Sequence, residues 1–150
     1  MKTVNSMKLS LLSKSVNESF ARAAVAAFLL PLDPTVAELA DVKTAVSEAV
    51  TNAIVHAYPE GYGTVYIEVS LTDTGKAIVK IRDKGVGIPD IERAMEPLST
   101  TSSDERAGLG FAVMQSFMDR VRVRSTVGKG TTVTLEKNIL RASYGQKRAD

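Results

Sequence analysis

Apolar and polar residues alternate with period two at five places along this chain, and between them apolar positions recur at intervals of three and four. Met7, Leu9 and Leu11 alternate as in a first strand. Ser15 with Glu18 has the spacing of a capping box for a helix carrying Phe20, Ala23, Ala24, Ala27 and Phe28 on one side, and Pro31 stops it. Thr35 and Glu38 repeat that spacing before a longer helical pattern that ends near Tyr58-Pro59. Gly61 and Gly63 then mark a turn, and Val65, Ile67, Val69 and Leu71 alternate strictly. Ala77–Arg82 is strand-like, Asp90–Met95 helix-like, and Val113, Met114, Phe117, Met118 and Val121 recur at helical spacing. Val121–Ser125 and Thr131–Glu136 form a hairpin around Gly128-Lys129-Gly130. The pattern predicts one layered α/β domain of about five strands with three or four helices, with a core from about 7 to 137 and a polar tail from 138 to 150.

Three segments carry candidate chemistry. In the long helical pattern Glu48, Asn52 and His56 are four apart, so they share a polar stripe amid Val46, Ala49, Val50, Ala53, Ile54 and Val55. A carboxylate amid so much apolar surface calls for a partner. The Asn52 oxygen could join a Mg²⁺ shell, and Glu48 could act as base toward a hydroxyl near a terminal phosphate.

The second segment, Asp83-Lys84-Gly85-Val86-Gly87-Ile88-Pro89, follows a strand. Its glycines allow close ligand approach, and Asp83 can accept from an exocyclic amine such as that of adenine. The third, Gly108-Leu109-Gly110, stands at the mouth of a helical pattern, where free backbone N–H groups and the helix dipole favour phosphate. Before it, Pro97–Ala107 is small, polar and aperiodic, as a mobile flap would be. Alone, each segment has an ordinary reading: a solvated helix face, a turn, a tight helix entry, a surface loop.

Together and in this order the segments resemble the N, G1 and G2 boxes of the ATPase/kinase superfamily shared by gyrase, Hsp90, histidine kinases and MutL. Within it, from about Ser10 to about Lys137, the chain is most similar to the anti-sigma-factor serine kinases of Gram-positive bacteria, sporulation branch. Asn17-Glu-Ser-Phe-Ala-Arg22, Ala26-Ala-Phe28, Val46-Ser-Glu-Ala-Val-Thr-Asn-Ala53 and Phe117-Met-Asp119 carry that narrower likeness. The resemblance implies a Bergerat-type fold, an α+β two-layer sandwich of about five mixed strands with three or four helices on one face, that binds ATP or ADP with Mg²⁺. It implies that Asp83 binds the adenine amine, that Asn52 ligates Mg²⁺ and that Glu48 activates the acceptor hydroxyl. It further places Gly85, Gly87, Gly108, Leu109 and Gly110 at the nucleotide, Thr131 near the adenine, Arg106 facing the terminal phosphate, and Thr100 and Thr101 as flap contacts. The implied partners are a sigma factor of the sigma F type and an anti-anti-sigma protein phosphorylated on serine, with homodimerisation. Lys84 departs from the family, standing where an acidic residue is frequent.

Composition narrows the picture further. The 44% hydrophobic and 24% charged content is ordinary for a globular domain, and the lack of cysteine excludes disulfides and thiolate metal sites. No apolar run reaches the roughly 20 residues of a membrane span or the core of a signal peptide, so a cytoplasmic protein without membrane contact is expected. A net charge of +2 with cations scattered along the chain gives no reason to expect direct nucleic-acid binding. At 150 residues no further domain is expected to turn ATP closure into work, and the single histidine, His56, lies in the first box, where packing or a polar contact suits it. Phosphate would go to another molecule. A kinase that also holds a sigma factor needs a second surface, and Arg22, between Phe20 and Ala23 on the first helix, is the expected partner contact.

Overall fold

Strands form where β-branched residues alternate with polar ones, because one face of each strand can then be buried while the other stays wet. In the computed structural model, which describes residues 1–96 and 102–139 and the side chains of all these but 102–108, five such strands make one sheet. The elements are β1 (Thr3–Leu12), α1 (Asn17–Phe28), a 3-10 turn (Leu30–Leu32), α2 (Val36–Asn52), a π-helical turn (Ala53–Ala57), β2 (Thr64–Thr72), β3 (Lys76–Asp83), the single-turn α3 (Ile91–Ala94), α4 (Ser102–Phe117), β4 (Arg120–Thr126) and β5 (Gly130–Asn138).

The sheet order is β1-β2-β3-β5-β4, and every neighbouring pair is antiparallel. Five strands agree with the sequence pattern; the mixed directions that the resemblance implied do not occur. The reason lies in the connections, since β2/β3 and β4/β5 are joined by tight turns that leave the chain no way to run parallel. The α4 crossover then brings β5 next to β3 and leaves β4 at the edge.

Val65, Ile67, Val69 and Leu71 of β2 are at most 2% exposed, and they meet Ala45, Val46, Ala49 and Val50 of α2 in one core cluster. α2 lies between α1 and α4, while Phe111 and Met114 fill the space under α4. Burying each of the valine, isoleucine, leucine, phenylalanine and methionine side chains contributes about 1.5–3 kcal/mol, enough to hold α2 fixed as the platform for its polar residues.

The capping device at Thr35 and Glu38 forms in both directions, at 2.9 and 3.0 Å. The one expected at Ser15 and Glu18 does not. There α1 begins after Val16 with no side-chain cap; backbone bonds from Asn17 to Lys14 and from Glu18 to Ser15 satisfy the first turn instead, and the Asn17 amide reaches back to Leu12. α4 starts at Ser102, six residues before Gly108, so the glycine pair lies inside a helix rather than at its mouth. Glu105, Arg106 and Ala107 are residue types of high helix propensity, and the helix extends through them ahead of the glycines.

Candidate active site

Glu48 and Asn52 are one turn apart near the end of α2, and α4 crosses beside them with Gly110 at the crossing. A Cβ on Gly110 would lie 3.1 Å from Glu48 Oε2 and 3.3 Å from both side-chain amide atoms of Asn52. The glycine is therefore what lets α4 close over these two polar groups. The Asn52 amide nitrogen is buried and makes no hydrogen bond within the described residues. A buried amide is costly without a partner, so a ligand oxygen at this point would relieve it.

After Asn52 the helix widens into the π-helical turn Ala53–Ala57, a local irregularity common at functional sites. It turns the Ala57 carbonyl toward the segment after β3, where it accepts the Val86 N–H at 2.9 Å. Gly85 passes so close to that carbonyl that any side chain would collide with it. Tyr58 completes the clasp: its hydroxyl donates to the Thr64 carbonyl at 2.7 Å and accepts the Lys84 N–H at 2.8 Å.

Asp83, at the end of β3, is 8% exposed. Its Oδ1 accepts the backbone N–H of Gly85 at 3.0 Å and of Thr131 at 3.2 Å, while Oδ2 makes no hydrogen bond within the described residues. Burial raises its pKa above the ordinary carboxylate value, and the two backbone bonds only partly counter that. Beside it the Thr131 hydroxyl pairs with Ser125 Oγ at 2.8 Å, and Ser125 in turn accepts the Ile88 N–H at 2.7 Å. Gly87, at φ +79, makes the bend between Val86 and Ile88 and packs against the Thr126 carbonyl.

These groups surround a cavity of about 250 Å³. Asn52, His56, Asp83 and Thr131 give it polar walls, and Ile81, Ile88, Phe111 and Val133 are among its apolar ones. That volume is below the roughly 300–1,000 Å³ of whole-ligand sites, and it suits the planar end of a nucleotide. A slot with apolar faces and one open carboxylate oxygen is what a purine amine requires. Among the described residues no three His, Cys, Asp or Glu gather to hold a metal, so a Mg²⁺ ion here would draw its ligands from Asn52, phosphates and water.

Of the residues singled out from sequence, Asn52, Asp83, Gly87 and Thr131 line this cavity, Gly85 braces its rim, and Glu48 and Gly110 adjoin Asn52. Leu109 on α4 is 56% exposed, and Gly108 lies one residue before it in the same helix. Being past the first turn, neither Gly108 nor Gly110 offers the unpaired N–H groups of a helix start. Arg106 has its backbone in α4, with its side chain outside the described residues, and Thr100 and Thr101 lie outside them altogether. Sequence reasoning missed Ser125, Tyr58 and the lining roles of His56 and Phe111. For Ser125 a signal existed, a polar residue at the inward position after Val121 and Val123.

The family model for the histidine kinase-like ATPase domain matches residues 12–137. The anti-sigma F factor of Caldanaerobacter subterraneus subsp. tengcongensis is 56% identical over 136 residues, 90% of this chain and 94% of that protein. The anti-sigma F factor of Priestia megaterium is 51% identical over 137 residues, 90% and 93% of the two chains. This chain belongs to the anti-sigma F factor branch of the histidine kinase-like ATPases. The family fold recurs in the crystal structure of the RsbU and RsbW domains of Rv1364c from Mycobacterium tuberculosis. That match has a TM-score of 0.66 at 19% identity and covers 91% of this chain and 33% of the other. Membership makes a nucleotide the expected ligand of the family domain. No helix among the described residues is long and apolar enough to cross a membrane.

In this family member Arg22 and Glu48 border one shallow groove between α1 and α2, with Lys43, Thr44 and Ser47 along its floor. The guanidinium is 3.7 Å from Glu18 and 3.5 Å from Ser47 Oγ. Glu48 thus stands between this groove and the Asn52 side of the cavity.

Proposed function

We propose that the protein is an anti-sigma factor that binds and inhibits a sporulation sigma factor of the sigma F type, and that as an ATP-dependent serine kinase it phosphorylates and inactivates its anti-anti-sigma antagonist. The observation that carries the kinase reading is the shared position of Glu48 and Asn52 against Gly110, with Asp83 on the cavity that Asn52 also lines. A binding module without transfer has no need of a carboxylate one turn before the metal-binding amide.

In this reading Asp83 accepts the adenine amine, with Thr131 beside it, and Gly85 and Gly87 keep the wall thin enough for the base to enter. Asn52 holds Mg²⁺, which when bound neutralises phosphate charge. A serine hydroxyl of the antagonist enters from the groove of Arg22 and Glu48. Glu48 takes its proton as the serine oxygen bonds the terminal phosphorus, and the bond to the bridging oxygen breaks to release ADP. Arg106, Thr100 and Thr101 serve the phosphates, and the Gly108-Leu109-Gly110 stretch of α4 lets that helix lie close beside Glu48 and Asn52 at the same end of the nucleotide. Arg22 contacts sigma factor and antagonist, and the protein works as a homodimer.

The test mixes the protein with Mg-ATP and candidate antagonists and detects phosphoserine by mass spectrometry. Transfer is expected, and Glu48→Gln should reduce it by about two orders of magnitude or more. Sigma binding that depends on ATP with no transfer would favour the alternative, a nucleotide-gated sequestering module.

A further inference from the structure

The face of the sheet opposite the helices gathers cations that lie far apart in the sequence. Strand register puts Lys80, Thr134 and Arg122 in one cross-strand row, and Arg82, Thr132 and Arg124 in the next. With Lys8, Lys76 and Arg120 the described strands place seven cations on this face against Glu68 and Glu136, five more positive than negative where the whole chain carries +2, and Lys84 just past β3 reaches Tyr66 on the same side. Glu136 is already engaged, 3.4 Å from Lys76 and 3.6 Å from Arg120. Within the described residues Arg122 and Arg124 have no carboxylate at ion-pair distance.

β4, which carries these arginines, is an edge strand whose outer side pairs with no strand among the described residues. Its inward Val121 and Val123 stay partly exposed, while Val133 and Leu135 opposite them on β5 are 4% and 0% exposed. The edge thus has an open hydrogen-bonding ladder, an unfinished apolar flank and a cation at every second position, about 6.6–6.8 Å apart. An extended chain with carboxylates on one face and apolar residues on the other complements all three.

We propose that β4 is a docking edge for an extended acidic segment of a partner protein, which adds as a sixth strand with carboxylates opposite Arg122 and Arg124. Strand addition supplies main-chain bonds and the arginines supply selectivity. The same arginines disfavour a second copy of this chain, whose β4 would set arginine against arginine. Single-stranded nucleic acid finds no open stacking surface here, because Tyr66 is covered by Arg82 at 4.7 Å and Lys84 at 5.1 Å.

The test titrates the protein with a labelled peptide alternating Glu and Val, with the same peptide carrying Lys for Glu, and with a short DNA duplex, by fluorescence anisotropy. Amide hydrogen exchange is followed in the peptide complex. The Glu peptide should bind more tightly than either rival and slow exchange in β4. Arg122→Glu/Arg124→Glu should weaken it about tenfold or more, and Arg122→Ala/Arg124→Ala less, with circular dichroism unchanged. The proposal is overturned if the Glu peptide does not bind, if the duplex binds more tightly, if β4 exchange is unaltered in the complex, or if both double variants keep the original affinity.

Discussion

Asp83 Oδ1 accepts the backbone N–H of Thr131 at 3.2 Å and so fastens the end of β3 to the start of β5 at the floor of the cavity. One oxygen is spent on the fold, and the other is left for a ligand. Burial raises the pKa of this carboxyl, so folding favours its protonated form. The stability that form contributes is complete below the unfolded carboxylate pKa and is lost as pH rises through the higher folded value. Asp83→Asn should therefore stabilise the protein without nucleotide at pH 7. Urea denaturation at several pH values checks this: the gap between variant and wild type should shrink as pH falls.

Gly110→Ala separates site from scaffold. Alanine in a helix interior gains about 0.8–1 kcal/mol over glycine, but here its Cβ would meet Glu48 and Asn52 at 3.1–3.3 Å. The expected result is thermal stability within about 1 kcal/mol of wild type together with a loss of phosphotransfer of about tenfold or more, since a shift of the proposed base and the proposed metal ligand by a fraction of an ångström is enough to slow the step. Unchanged transfer would show that the contact is idle.

Gly87→Ala meets two obstacles, a φ of +79 and the Thr126 carbonyl. A cost of about 1–3 kcal/mol is expected in denaturant unfolding, with weaker nucleotide binding because the wall moves.

Tyr58→Phe removes a hydroxyl that holds both the Thr64 carbonyl and the Lys84 N–H. The loss should be about 0.5–1.5 kcal/mol in stability. ATP affinity should fall as well, because Lys84 connects Asp83 to Gly85. Stability loss at constant affinity would limit Tyr58 to a role in folding.

The strands were legible because Val65, Ile67, Val69 and Leu71, like Val133 and Leu135, alternate with polar residues and the fold honours that alternation. Asn52 and Asp83 stood out as candidates because one lies on a polar stripe in an apolar helix and the other at a strand end before a glycine pair, and the fold brings both to one cavity. Where sequence reasoning failed, competing local signals had equal claim. Gly108-Leu109-Gly110 looked like a helix entry, yet the good helix formers before it begin α4 at Ser102. Ser15 had the spacing of a cap, but backbone bonds in the preceding turn took its place. The π-helical turn has no sequence mark at all, since one extra residue in a turn leaves the apolar pattern nearly unchanged. The cations looked scattered because register, which linear order does not reveal, is what sets Arg122 and Arg124 beside Arg82 and Lys80.

Calorimetric titration with Mg-ATP and Mg-GTP probes the proposed purine slot, closed by Asp83 and with its phosphate end at Asn52. ATP is expected to bind, and GTP, which presents an acceptor where adenine presents an amine, is expected to bind at least about a hundredfold more weakly. Asp83→Asn should abolish that preference. ATP and GTP binding alike, or ATP binding unaltered in Asp83→Asn, would contradict it.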